Sequence, residues 1–350
     1  MDHRASSLPA ILLVNYTPYG GGDTVSLCRG ARFLARQGYR VGIAGPENRW
    51  LRENVDSRGV QLFTFENPKL DGFRNPVLGP LGYLLSLLRA SRRVARIARE
   101  GEWDIVHANT LPNLAGAIGP RVSGLPLLGQ GGEIAFQSRF AFSVLRFVPR
   151  LLARVIVCPS TALIDIYGRR TCALVPNAIP DGWPEGGEET DVRAELGIDP
   201  SVSVVMWIGG VEPRKGLDRL LEAAREGVGD GRETVLLLVC RVTAKYRDLY
   251  ASLRLRAREL PVLCVFVENV SDPRPYYRAA DCVVQTSLLP EAFGRTVLEA
   301  MAMGKPVVCA GGGGTADFAE HGRTAHLVDP SDPSRIRDGI NAIMDDRAYA

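Results

Sequence analysis

Five short apolar runs alternate with helical segments in the first half of the chain, and five more do so in the second. In the first half the runs are AILLVNY, YRVGIAG, DIVHAN, LPLLGQ and VIVCPS; in the second they are SVVMWIGG, TVLLLVC, VLCVFV, DCVVQT and KPVVCA. Runs of this kind, apolar throughout rather than at alternate positions, suit strands buried on both faces. Strands of that type separated by helices imply parallel sheets covered on both sides, here twice over, with ligands beyond the carboxyl ends of the strands. Two such sheets side by side would make a cleft.

At 350 residues the chain is long for a single core. The segment NAIPDGWPEGGEETD, dense in Pro, Gly and acids, reads as the hinge. The expected division is therefore 1–177, a linker over 178–192, and 193–350. Charge separates along the same line. Residues 1–180 carry 22 Lys and Arg against 12 Asp and Glu, a balance of +10, whereas residues 181–350 carry 20 against 27, or −7.

No apolar run reaches membrane-spanning length, since arginines interrupt the longest, and the N-terminal apolar stretch is too short for a signal peptide. Several of the seven cysteines sit inside apolar strand runs, with no C-x-x-C spacing, and read as core residues in a reducing cytoplasm. Two basic, apolar segments, LLRASRRVARIARE and RFAFSVLRFVPRLLARVIV, read first as helices covering the sheet, with arginines in solvent. The other reading is a face for anionic lipid.

Glycine turns fall at strand ends. YGGGDT (Tyr19 to Thr24) follows the first strand and IGGVEPRKG (Ile208 to Gly216) opens the second half. Neither matches G-x-G-x-x-G, so a dinucleotide site has little support. A Gly-rich turn alone is as often a tight turn as a phosphate cradle, but Arg214 and Lys215 favour an anion in the second.

In EAFGRTVLEAMAMGKPVV, Pro290 stops what precedes, and Val297, Leu298, Met301 and Ala302 recur at helical spacing before Gly304. The pattern predicts a helix from near Phe293, with Glu291 in the loop before it and Glu299 on its second turn. N–H groups around Phe293, Gly294 and Arg295 would form a positive end for an anion. In isolation the two glutamates read as a solvated loop acid and a surface helix residue.

Glu291-x7-Glu299 with Phe293-Gly294 between, Lys215 in a Pro-x-Lys-Gly turn, PYYRAAD (Pro275 to Asp281) and Gly313-Gly314-x-x-Asp317 occur together in the chain. This combination resembles the family 4 glycosyltransferases, and the likeness runs from Gly20-Gly21-Gly22 through VPNAIP to HLVDPSDP. It implies an α/β protein of GT-B architecture, two Rossmann-like doubly wound domains facing a central cleft, with the acceptor held by the first and the nucleotide sugar by the second.

By this resemblance Glu299 accepts from ribose hydroxyls and Glu291 holds the donor sugar. Lys215, Arg214 and the Phe293 to Arg295 backbone neutralise the departing diphosphate. Gly21 and Gly22 pack against phosphates or acceptor, Gly209 lines the donor site, and His107 points at the sugar; a lone strand-end histidine is otherwise read as structural. Transfer would retain anomeric configuration without a metal, and no Asp-x-Asp stands at a strand end to hold one. No cofactor is implied. The donor is a nucleoside diphosphate sugar, UDP ahead of GDP, and the acceptor a glycan or lipid-linked molecule of cell-surface assembly. Nucleic acid is not an expected partner, and the expected place is the cytoplasm, with peripheral association at an anionic membrane.

Three departures from the pattern stand out. Gly210 occupies a position that is often basic, which would leave Arg214 or Arg241 to substitute. Asn109 stands where a second histidine is common. The chain stops at MDDRAYA, before the crossover helix usual in relatives, which reads as a trimmed or naturally short form. Two alternatives follow. One is a degenerate transferase that binds nucleotide or glycan without turnover. The other is a glycoside hydrolase using Glu291 and Glu299 as acid and base, although both would approach from one side of the scissile bond.

Overall fold

The computed structural model describes residues 8–17, 22–55, 59–68, 78–110, 113–131, 147, 150–187, 189–229 and 231–345. The chain divides into two compact units, Met1–Pro176 and Asn177–Ala350.

In the first unit the strands are β1 (Ile11–Val14), β2 (Val41–Gly45), β3 (Val60–Thr64), β4 (Ile105–Ala108), β5 (Leu127–Gln130), β6 (Val155–Cys158) and β7 (Cys172–Leu174). They lie in the order β3-β2-β1-β4-β5-β6-β7, and every recorded pairing is parallel. In the second unit β8 (Ser203–Gly210), β9 (Thr234–Arg241), β10 (Leu263–Glu268), β11 (Cys282–Gln285), β12 (Val307–Ala310) and β13 (His326–Val328) are ordered β10-β9-β8-β11-β12-β13, again parallel. Both sheets therefore start at a central strand, wind outward one way, and return to wind the other, the doubly wound arrangement.

The second sheet shows why its runs are apolar throughout. Val205, Trp207, Leu236, Leu238, Val284 and Val308 face the helices Leu217–Arg225, Arg247–Ala257 and Pro333–Asp345. Their neighbours Val204, Met206, Leu237, Val283 and Val307 face the opposite way, onto Tyr277, Val297 and Ala300. Successive side chains alternate between faces, and both faces are covered, so the middle of each run is apolar and polar residues such as Thr234 and Gln285 fall at strand ends. In the first unit Leu13, Val41 and Ile43 pack on Leu27, Cys28 and Ala31 of the Gly22–Arg36 helix.

All ten expected runs contain a strand. Three further strands, β3, β7 and β13, escaped the sequence reading, and each is at a sheet edge. An edge strand is half open to solvent, so its sequence need not keep a continuous apolar run, although the edge strand β10 does; in β3, Gln61, Leu62 and Thr64 are exposed. Residues 178–192 were expected as a linker. Among them Trp183 is buried, with the Arg274 guanidinium 5.1 Å from its ring centroid, and Gly186 O accepts from Arg278. That stretch packs on the second unit.

Candidate functional site

The switch point of the second sheet lies between β8 and β11, where the chain leaves in opposite directions and the strand ends open. After β8 a short 3-10 turn, Pro213–Lys215, leads into the Leu217–Arg225 helix through Gly216, which has φ of 65°. A side chain at Gly216 would run into the Thr286 carbonyl, so the position needs glycine on two counts. Thr286 ties this turn to the end of β11. Its Oγ1 lies 3.0 Å from Lys215 O and 2.8 Å from Gly216 O, Trp207 Nε1 donates to it at 3.2 Å, and Leu288 N donates to Arg214 O at 2.8 Å.

With its backbone pinned, Lys215 places Nζ 2.6 Å from Glu291 Oε1. The same oxygen accepts from Ser287 Oγ, and Arg214 Nη1 stands 3.6 Å away, itself paired with Glu212 at 2.8 Å. Burial alone would raise the Glu291 carboxyl. The Lys215 charge and hydrogen bond, with Ser287 and Arg214, outweigh it and hold the group below its ordinary range. Main-chain contacts fix the loop from the other side: Gly314 N donates to Glu291 O at 2.8 Å, and Glu291 bridges Gly313.

The helix after Glu291 runs Arg295–Ala302, two residues later than expected, because Gly294 takes a left-handed φ of 88° and caps it. Val297 and Leu298 N–H groups make the first turn's bonds, both to Gly294 O. Phe293 is buried against Phe318, with centroids 5.3 Å apart, so its side chain belongs to the core. Gly304 has φ of 66° and ends the helix as anticipated. Glu299 lies on the second turn but is only 7% exposed. It is not the surface residue of the simplest reading. Arg295 Nη2 donates to its Oε1 at 2.7 Å and the Tyr277 hydroxyl lies 3.2 Å from its Oε2.

Gly209 and Gly210 end β8, and Gly210 is in register with Arg241 of β9. A Cβ at Gly210 would stand 3.1 Å from Glu212 Oε1 and 3.4 Å from the Arg241 guanidinium, so a carboxylate and a cation both lie beside the position that carries no side chain of its own.

In the first unit, Gly21 falls outside the described residues and Gly22 opens the Gly22–Arg36 helix. His107 is the penultimate residue of β4, in register with Leu13 and Leu128. Burial drives its imidazole down to about 4, against a smaller upward pull from a hydrogen bond with Gln130, so it is neutral at physiological pH. Around the β1/β4 switch point a set of buried amides holds the backbone. Asn113 Nδ2 donates to Val14 O at 2.8 Å while its Oδ1 accepts from Gly116 N at 3.0 Å, and Asn15 Nδ2 donates to Thr17 O. Thr110, beside Asn109, has φ of 66°. For a threonine that is a strained conformation.

Sequence reasoning singled out Lys215, Arg214, Glu291 and Glu299 but passed over Ser287, Thr286 and the buried amides. The signal for Ser287 was its place four residues before Glu291 in the same loop. For the amides it was asparagine at a strand end, in VNY, and just before a helix, in LPNLAG.

Two doubly wound parallel units, one carrying a Lys–Glu pair and a second buried glutamate at its switch point, define a GT-B protein. Residues 188–350 match the family described as glycosyl transferases group 1. The chain is 30% identical over 388 residues to D-inositol 3-phosphate glycosyltransferase 1 of Catenulispora acidiphila, with 99% of this chain and 88% of that protein covered. It is 27% identical over 203 residues to the lipopolysaccharide 1,2-N-acetylglucosaminetransferase of Salmonella typhimurium, covering 55% and 53%. Several other curated relatives are likewise matched over about half of their own length. In fold it is similar to Anabaena Alr3699/HepE, solved in complex with UDP and glucose, with a TM-score of 0.81 at 23% identity, over 98% of this chain and 91% of that one. The chain belongs to the group 1 glycosyltransferases of the family 4 type.

Proposed function

We propose that the protein moves a sugar from a nucleoside diphosphate donor, UDP ahead of GDP, to an acceptor hydroxyl with retention and without a metal. The observation that carries this reading is the Lys215–Glu291 pair, 2.6 Å apart at the carboxyl end of the second sheet, with Glu299 one helix turn and more beyond. Glu299 accepts from the ribose. Glu291 holds hydroxyls of the donor sugar, and Lys215 with Arg214 and the Phe293–Gly294–Arg295 backbone takes the charge that grows on the leaving diphosphate. In the transfer, the bond from the anomeric carbon to the phosphate oxygen breaks, and the bond to the acceptor oxygen forms on the same face. The acceptor proton goes to the departing phosphate. Gly21, Gly22, Gly209 and His107 complete the donor and acceptor surroundings in this reading. Support for a UDP donor comes from the fold shared with the UDP-bound Anabaena protein.

The acceptor in this proposal belongs to cell-surface polysaccharide or glycolipid assembly, as the name of the Salmonella relative suggests. Peripheral docking on anionic lipid is part of it. Leu81, Leu84, Leu85 and Leu88 stand 42% to 54% exposed at helical spacing on the Leu78–Glu100 helix, followed by the exposed arginines 89, 92, 93 and 96. Apolar and basic residues on one exposed helix suit a headgroup boundary. No helix among the described residues is long and apolar enough to cross a membrane.

A screen of UDP-, GDP- and ADP-sugars by thermal shift tests the donor, since a ligand of the folded state raises the melting point. Release of nucleotide from the stabilising donor, unaffected by a chelator, is the expected activity; no release over hours would leave a binding protein. Salt-sensitive sedimentation with anionic vesicles tests the docking.

A further inference from the structure

The PYYRAAD stretch plays no part in the chemistry above, yet it supplies the hydroxyl that touches Glu299. Tyr277 belongs to the Arg274–Ala279 helix and is fully buried, on the sheet face that also carries Val297 and Ala300. Its hydroxyl lies 3.2 Å from Glu299 Oε2 and 3.3 Å from Thr296 O. A phenol carries one proton, which these two acceptors share. Burial first, and then the negative charge of Glu299, push the phenol far above its ordinary range, so it remains a donor at any working pH.

The two oxygens of Glu299 are thus each engaged once by the protein: Oε1 by Arg295 from the same helix and Oε2 by Tyr277 from another. An ionised carboxylate has about four acceptor positions, so one remains on each oxygen. Two acceptors side by side match a vicinal diol. An arginine one turn away along the same helix fixes one end of the carboxylate but leaves it free to turn about that contact. The second tether, anchored in the core, removes that freedom.

We propose that Tyr277 is a positioning residue that orients Glu299 toward the 2′- and 3′-hydroxyls of the donor ribose, and so sets the preference for ribonucleotides. The proposal rests on the reading that Glu299 faces the ribose. Binding of UDP and of 2′,3′-dideoxy-UDP, with the GDP pair in parallel, is measured by calorimetry on wild type, Tyr277→Phe, Glu299→Gln and the double variant. Wild type should prefer the ribonucleotide by about 10-fold or more. Tyr277→Phe should weaken the ribonucleotide by roughly 3- to 10-fold, leave the dideoxy form unchanged, and add nothing to Glu299→Gln. With donor sugar its KM should rise at constant kcat. Equal weakening of both nucleotides by Tyr277→Phe, or full additivity with Glu299→Gln, would make the tyrosine merely structural and overturn the proposal. If wild type binds both forms equally, the ribose reading of Glu299 fails first, and the proposal with it.

Discussion

The β1/β4 mouth of the first sheet and the β8/β11 mouth of the second occupy the same point of one topology, and they are built from opposite materials. The first is held by neutral groups: Asn113 on Val14 O, Asn15 on Thr17 O, and a neutral His107. The second is held by charge, with Lys215 on Glu291 and Arg295 on Glu299. Backbone strain divides the same way. Thr110 takes a left-handed conformation in the first mouth, whereas Gly216 and Gly294, which bear it without cost, take it in the second. A doubly wound sheet guarantees an opening at the switch point. Whether that opening faces an anion or an uncharged group is decided by a handful of side chains on its loops.

The contrast is broken hardest at Lys215. If Lys215 takes the charge of the leaving diphosphate as proposed, Lys215→Ala should lower kcat by about 10² to 10³ with a smaller change in donor KM. Steady-state kinetics at saturating donor reads this directly, and an unchanged kcat would place the charge elsewhere.

Next in size is the separation of the two glutamates. Glu299→Gln should weaken free nucleotide and nucleotide sugar alike by about 10- to 100-fold. Glu291→Gln should spare free nucleotide while damaging transfer. If both abolish turnover and leave nucleotide affinity untouched, the acid and base pair of a hydrolase returns.

Within the neutral mouth, the Asn113 ties should answer in stability rather than chemistry. Asn113→Ala removes the tie to Val14 O and the cap on Gly116 N, at a cost of about 1 to 2 kcal/mol. Urea denaturation should show this with nucleotide affinity unchanged.

The most gradual effect, spread over a range of conditions, is in pH. His107 is neutral in the folded chain down to about 4, whereas an unfolded imidazole gains its proton below 6.5. Its contribution is therefore complete above 6.5 and is lost as pH falls from there toward 4, by at most about 1.4 kcal/mol per pH unit. Glu291, held below its ordinary 4.5, contributes fully above that value and loses its share only as pH falls further. His107→Gln should flatten the midpoint between pH 6.5 and 4, and Glu291→Gln only the more acid limb.

The second mouth was more legible than the first for a physical reason. Arg214 and Lys215 stood out beside a glycine turn, while Glu291 and Glu299, ordinary surface acids when read alone, were picked out by the combined motif of the family they resemble. Asparagines and threonines at strand ends are ordinary turn residues. Only the structure shows Asn113 reaching back across 99 positions to Val14. Ser287 and Tyr277 were in view, the one four residues before Glu291 and the other inside PYYRAAD, but only the structure shows each touching a carboxylate. The helix start was misplaced because Gly294, read as part of the first turn, is the cap that precedes it.

The clasp between the Glu291 loop and Gly313–Gly314 governs how this protein can be diversified. Gly294 is left-handed and a Cβ there would run into the Thr315 hydroxyl, so any side chain meets both a backbone and a packing obstacle. A library randomised from Glu291 through Arg295 would consist mainly of misfolded members, whatever sugar it was selected on. Exposed Leu289 lies outside the clasp, and variation confined to that position would retain it while reshaping what lies beside the carboxylate.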